Sequence, residues 1–248
     1  MLPSSVFRPL ILIPSYNSGH LLVPTVRSAA EFSSGCPVWV IIDGSTDGSD
    51  HELERVGLSG VDIIRQEANA GKGSAVLLGV ERAVAAGYSH VLTLDADGQH
   101  PAWQIPSLLE RGSESPGACI CGRPIFDEGA PKARIYGREI SNFLAWWTSG
   151  FELCADVLYG FRLYPAAALE AAFRQTGRAR RYDFDPEVLV RLSWMGIPAI
   201  NFDSPVRYPK KSEGGISHFN YLRDNLLLAG MHARLLSLGL TRIFRQGE

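Results

Sequence analysis

Asp95 and Asp97 stand two residues apart at the end of an apolar run, 91–94, and Gly98, Gln99, His100 and Pro101 follow them. Side chains two apart on an extended chain point to one side, so both carboxylates can face one ligand, with Gln99 next in line if the chain stays extended. Two close carboxylates repel unless a cation sits between them, and hard oxygen donors suit Mg2+ or Mn2+. The chemistry of such a clamp is to hold a metal on a diphosphate. A solvated turn at a strand end is the other reading of an Asp-x-Asp, and the elements around it must decide.

Three more polar loops follow apolar runs in the same way. Residues 9–14 lead into Ser15-Tyr16-Asn17-Ser18-Gly19, residues 38–42 into Asp43-Gly44-Ser45-Thr46-Asp47, and residues 61–64 into Asn69-Ala70-Gly71-Lys72-Gly73-Ser74. Helices are expected to about residue 32, near 50–56 and over 75–86. Four strand-loop-helix units in succession predict an α/β fold, an open and mostly parallel doubly wound sheet flanked by helices. Ligands of such sheets bind outside the carboxyl ends of the strands, the edge that carries all four loops. The 71–74 stretch is not a P-loop, because Gln66 stands where that motif needs glycine, and Val76 likewise breaks a dinucleotide fingerprint. A flexible backbone with one cation, Lys72, remains and is suited to phosphates.

Beyond Pro101 the chain reads as a short helix, a strand over 118–122, and a segment, 123–150, that carries Arg123, Lys132, Arg134 and Arg138 and then Phe143, Leu144, Trp146 and Trp147. Core packing is the default account of those aromatics, and a helix at a membrane interface is the sharper one. Residues 156–164 read as a loop entering a strand. Residues 183–187 open a helix, with Asp185 as N-cap, Pro186 in the first turn and Glu187 a favourable first-turn acid. A strand near 199–202 and a polar loop, 210–218, lead to a last helix. Its stripe, Ile216, Phe219, Leu222, Leu226, Ala229, Ala233, Leu236 and Leu240, is widened by Leu227, Met231, Leu235 and Leu238. That is more apolar surface than one docked face requires. It is either buried against the domain or laid on anionic lipid, with Arg223, Arg234, Arg242 and Arg245 alongside.

With 248 residues, 46% of them hydrophobic, the chain can bury a real core as one large domain or two intimate ones. A net charge of -2 argues against a general nucleic-acid binder. The charge is uneven, with seven bases against three acids over residues 205–248. The four cysteines, Cys36, Cys119, Cys121 and Cys154, have neither zinc-finger spacing nor disulfide-scaffold density, so reduced thiols and a cytoplasmic setting are expected. No stretch has the length of an apolar membrane span, so any membrane is met from its surface.

Pro14-Ser15-Tyr16-Asn17, Asp43-Gly44-Ser45-Thr46-Asp47, Asn69-x-Gly71-Lys72-Gly73 and Asp95-Ala96-Asp97-Gly98-Gln99-His100-Pro101 resemble, in order, the motifs of family 2 inverting glycosyltransferases with the GT-A fold. Gly160-Phe161-Arg162 and Gly215-Ile216-Ser217 are similar to those of the branch containing dolichyl-phosphate mannosyltransferases and polyprenyl-phosphate glycosyltransferases. The resemblance implies one catalytic domain over 1–215, with a nucleotide-sugar-binding half (1–122) and an acceptor half (123–215), and a C-terminal amphipathic helix over 216–248. It implies that Pro14, Tyr16 and Asn17 lie near the nucleotide of a UDP- or GDP-sugar, and that Asp43 contacts its base or ribose. Asp95, Asp97 and Gln99 would hold the divalent metal. The chain departs from the family pattern at Ile42, often an acid, and at His218, often a lysine.

The implied chemistry is displacement of a nucleoside diphosphate from an anomeric carbon. A hydroxyl acceptor needs a base, for which Glu187 or Asp156 is the candidate. A lipid phosphate is already anionic and needs steering cations, which Arg138, Arg162, Arg207, Lys210, Lys211 and His218, with Ser217 beside them, could supply. The basic tail favours the lipid acceptor, with the protein peripheral on the cytoplasmic face of a membrane. A soluble hydroxyl acceptor and a non-catalytic nucleotide-sugar binding module are the alternatives.

Overall fold

Residues 10–13 and 38–42 carry an apolar side chain at every position, which a strand satisfies when both faces of its sheet are covered. The structure, a computed structural model, describes residues 6–126, 132–150, 155–206 and 219–246. Strands β1 (Pro9–Ser15), β2 (Val38–Asp43), β3 (Val61–Gln66), β4 (His90–Thr93), β5 (Cys119–Phe126), β6 (Arg162–Pro165) and β7 (Ala199–Val206) form a seven-stranded sheet in the order β3-β2-β1-β4-β6-β5-β7. β6 runs antiparallel to β4 and β5, and the other neighbours are parallel. The reversal matters for the site. Arg162 lies opposite Thr93, so the chain enters β6 at the edge where β1 to β4 end.

The helices are α1 (Leu22–Glu31), α2 (Ser49–Val56), α3 (Lys72–Ala85), α4 (Ile105–Glu114), α5 (Lys132–Thr148), α6 (Ala166–Thr176), α7 (Phe184–Trp194) and α8 (Tyr221–Gln246). Alternate residues of β1 serve two cores. Leu10 and Leu12 join Val76 and Val80 of α3, Phe173 of α6, Phe184 and Val188 of α7, and Met231 and Leu235 of α8. Ile11 and Ile13 face the other way, with Leu22 and Val26 of α1, Leu53 of α2 and Leu108 of α4. Each such side chain removed from water contributes about 1.5–3 kcal/mol, which is what drives the double covering. Cys119 and Cys121 are buried on one face of β5, and neither is in a disulfide.

The structure differs from the sequence expectations in five places. α6 was not foreseen, and β7 continues past residue 202 to Val206. The N-cap of α7 is Asp183, not Asp185, which lies inside the first turn with its carboxylate turned to the site. The α5 aromatics are not core: Phe143, Trp146 and Trp147 are 52%, 43% and 58% exposed, and Tyr136 and Ile140 are exposed beside them. The face of α8 read as a single stripe, Leu222, Leu226, Ala229, Ala233 and Leu240, points to solvent, while Leu228, Met231, His232 and Leu235 are buried. Periodicity reports that an apolar face exists, and only packing decides which face is docked. α5 and α8 pack on each other, and the buried Ser141 Oγ and His232 Nε2 lie 2.6 Å apart across the pair. No helix among the described residues is long and apolar enough to cross a membrane.

Candidate active site

At the carboxyl edge of β1 to β4 lies a cavity of about 660 Å³. Its floor comes from the four polar loops, with Pro14, Ser15, Tyr16, Asp43, Asn69, Gly71, Lys72, Asp95, Asp97 and Gln99 among its lining residues. The opposite wall comes from Arg138 of α5, Arg181, Tyr182 and Asp185 around the start of α7, and Tyr221, Arg223 and Leu228 of α8.

The loop after β4 turns at Gly98, whose φ of 71° suits glycine, so the extended path expected for residues 95–99 is not followed. Gln99 N instead donates to Asp97 Oδ1 at 3.0 Å. Both carboxylates and Gln99 still line the cavity. Burial and the neighbouring Asp95 charge push Asp97 up to about 7. Burial acts in the same direction on Asp95, but the Lys72 ammonium beside it reverses this and holds Asp95 below the usual carboxylate range. A buried carboxylate raised by its twin is the arrangement that a bound cation relieves. Among the described residues no group of three or more His, Cys, Asp or Glu is poised for a metal. Two carboxylates and an amide oxygen fit an ion that takes its remaining oxygens from a ligand, which is how Mg2+ is commonly held.

Lys72, at the start of α3, places Nζ 2.8 Å from Asp95 Oδ1 and 3.0 Å from Asp185 Oδ2. Burial disfavours its charge, yet Asp185 and Asp95 together raise its pKa above the ordinary lysine value. Gly160 makes room for this pair, since a Cβ there would meet Lys72 Nζ at 2.8 Å. The rest of that motif is scaffolding. Phe161 stacks on His100 at 5.4 Å, and Arg162, fully buried, reaches Tyr164 Oη, Asp185 Oδ1 and the Asp156 carbonyl. His100 Nδ1 accepts the Asp95 backbone N–H at 3.0 Å. Burial pushes its pKa down to about 4, so it is a neutral ring that fixes the Asp95 backbone.

Asp43 has both oxygens engaged: Oδ1 accepts Ala70 N, and Oδ2 accepts Gly71 N and Asn69 Nδ2. It braces the 69–71 loop from beneath. Asn17 lies outside the lining, where Oδ1 accepts Thr46 N and ties the first two loops together. The two candidate bases are also taken. Asp156 receives Arg138 Nε at 2.9 Å and Nη2 at 3.0 Å. Glu187 is fully buried between Arg191 and Arg234. Neither lines the cavity, and neither does Arg162, so those three act through the residues they hold. Arg138 does line it. Arg207, Lys210, Lys211, Ser217 and His218 lie outside the described residues. Sequence reasoning missed Asp185, Arg181 and Tyr182, because nothing local marks the start of α7 as a cavity wall. The signal available was the acidic cluster Asp183-x-Asp185-x-Glu187.

This edge-of-sheet cavity has the GT-A architecture. Glucosyl-3-phosphoglycerate synthase from Mycobacterium tuberculosis, solved with Mn2+, UDP-glucose and glycerol 3-phosphate, superposes with a TM-score of 0.61 at 17% identity, covering 94% of this chain and 79% of that one. S. aureus TarS 1-349 with UDP-GlcNAc gives 0.57 at 16% identity, covering 96% and 73%. The family model for glycosyl transferase family 2 matches residues 10–173, and the chain belongs to that family. Curated relatives in the polyprenyl-phosphate branch are among those it matches. Polyprenol monophosphomannose synthase of Mycolicibacterium smegmatis is 26% identical over 202 residues, 77% of this chain and 72% of the relative. Undecaprenyl-phosphate mannosyltransferase of Micrococcus luteus is 25% identical over 199 residues, 76% and 79%.

Proposed function

We propose that this glycosyltransferase moves a sugar, with inversion and with a divalent metal, from a UDP- or GDP-sugar to a polyprenyl phosphate at a membrane surface. The carrying observation is that the carboxylates offered as a base, Asp156 and Glu187, are held by arginines away from the cavity, and that Asp185, which does line it, is bound by Lys72 and Arg162. A hydroxyl acceptor must lose a proton to a base within hydrogen-bond reach, whereas a phosphate arrives as an anion. Arg138, braced by Asp156, is the cation that steers it, and the arginine fork suits phosphate. The names of the curated relatives support the same acceptor.

Asp95, Asp97 and Gln99 would hold Mg2+ or Mn2+. That ion, when bound, neutralises charge growing on the leaving diphosphate. Lys72, fixed between Asp95 and Asp185, keeps a second cation at the same place, and the Pro14–Tyr16 and Asp43-braced loops receive the nucleotide. Attack by the acceptor oxygen in a single displacement inverts the anomeric centre. Residues 1–122 then form the donor half, residues 123–215 the acceptor half, and 216–248 the appended helix. The exposed apolar faces of α5 and α8 support peripheral attachment, for soluble proteins rarely leave such patches bare. The basic face expected on α8 is weaker than its sequence implies. Arg234 is drawn to Glu187, Arg242 stacks on Trp194, and Arg223 pairs with Asp224. A cytoplasmic face is supported only by Cys36, Cys119 and Cys121 standing outside any disulfide.

The test is transfer of label from UDP- and GDP-sugars into solvent-extractable lipid, with polyprenyl phosphate added, in Mn2+ and in EDTA. Labelling lost in EDTA is expected. Labelling of a soluble hydroxyl compound instead, with none in lipid, would overturn the acceptor.

A further inference from the structure

Among the described residues four cations line the cavity, and three have carboxylate partners. Lys72 sits between Asp95 and Asp185, Arg138 is bound by Asp156, and Arg223 by Asp224. Arg181 is half-buried and lines the cavity, and its guanidinium has no carboxylate partner among the described residues. Its backbone is firmly placed. Arg181 N donates to Asp183 Oδ1 at 3.0 Å, and the preceding carbonyl, of Arg180, accepts Ser74 N at 3.1 Å. The loop between α6 and α7 is thereby stitched to the first turn of α3. The stem of Arg181 lies flat on Gly71, where a Cβ would fall 2.7 Å from Arg181 Cγ and 2.5 Å from the Arg180 carbonyl oxygen. Gly71 is the residue whose N–H grips Asp43, and Lys72 follows it.

A held backbone with an uncommitted guanidinium at its end is the form of an anion-binding arginine. A planar fork of N–H donors matches the oxygens of a phosphate, and a cavity wall keeps the pair partly out of water. Its position on the 69–73 loop puts it with the donor residues and not with Arg138 on α5. We propose that Arg181, although it stands in the acceptor half of the chain, is a phosphate-binding residue of the donor site, gripping the diphosphate of the nucleotide sugar from the wall opposite Asp95 and Asp97. This rests on the donor reading above and adds a residue that none of the sequence motifs contains.

The test titrates UDP and GDP, and separately uridine and guanosine by ligand-observed NMR, into the wild-type protein, Arg181→Gln and Arg181→Lys, in Mn2+ and in EDTA. Whichever diphosphate the wild type prefers should bind Arg181→Gln about tenfold or more weakly, as expected for a lost charge-assisted hydrogen bond. The matching nucleoside should bind unchanged, the loss should persist in EDTA, and Arg181→Lys should recover only part of it. Equal diphosphate binding by Arg181→Gln overturns the inference and leaves the donor reading standing. A parallel loss of nucleoside affinity also overturns it, as the mark of a merely structural role. An unchanged diphosphate affinity with a raised KM for polyprenyl phosphate moves Arg181 to the acceptor and overturns the donor assignment. A wild type that binds neither diphosphate sinks the donor reading itself.

Discussion

The floor of the cavity and its opposite wall were built by different means. On the floor, each polar loop leaves the end of a parallel strand, so the order of strands in the sheet carries Tyr16, Asp43, Lys72 and Asp95 to one edge. On the wall, α5, α7 and α8 are placed by tertiary packing, and acids that look catalytic in sequence prove to be holding arginines. Asp156 positions Arg138, and Glu187 fastens Arg234 of α8 to Arg191 of α7. The difference teaches that a carboxylate at the end of a parallel strand opens to the ligand by topology alone, whereas on a packed wall the neighbours decide. Asp156 and Glu187 are claimed by arginines outside the cavity, and Asp185 in the first turn of α7 is turned into it.

The sharpest break in that comparison is Asp97→Asn. Lipid labelling should fall by a factor of about 10² to 10³, the usual range for losing one preorganised electrostatic group, with the melting temperature little changed. Glu187→Gln should do the opposite. It leaves Arg191 and Arg234 without their shared charge, and breaking a buried pair costs about 3 kcal/mol, so the melting temperature should drop on the order of 10 °C. The folded fraction should keep its kcat; a lost kcat at unchanged melting temperature would restore Glu187 as a base.

A smaller effect is expected at the exposed faces. Trp147→Glu or Leu226→Glu should weaken co-sedimentation with anionic vesicles by roughly tenfold, from about 1.5–3 kcal/mol of lost apolar burial, while donor binding in solution stays the same. Unchanged co-sedimentation would remove the membrane role of these helices.

The smallest effect is one of pH. Burial lowers the His232 pKa from 6.5 to about 4, so the unfolded chain takes up its proton first as pH falls. Stability from neutral His232 is whole above pH 6.5 and declines toward pH 4. The urea midpoint should therefore fall over that window, and fall less in His232→Gln. An identical pH dependence in the two proteins would show that α8 is not held this way.

Much of residues 1–122 was legible beforehand for a physical reason. Continuous apolar runs specify buried parallel strands, and small polar residues at their ends specify loops at the binding edge, so the Asp95-Asp97 pair could be placed before any coordinates. The turn at Gly98, the bracing by Asp43 and the neutral His100 were not legible, because each depends on hydrogen bonds within or between loops that sequence spacing does not rank. The identity of the Gly160-Phe161-Arg162 motif was readable but its role was not. Only the antiparallel entry of β6 puts Gly160 over Lys72 and Asp95, and turns Phe161 to His100 and Arg162 to Asp185.

By itself the sequence determined the α/β class, the strand ends that bear the site, and the existence of apolar faces on α5 and α8. Each of these follows from local period and composition, which every copy of the chain carries in whatever surroundings. Tertiary structure alone decided which helix faces are docked, which arginine each acid holds, and that Arg181 stands over Gly71 beside the polar loops of the strand ends. Those are contacts between segments far apart in the chain, and their energies depend on burial and partner geometry that exist only once the sheet and its helices have packed.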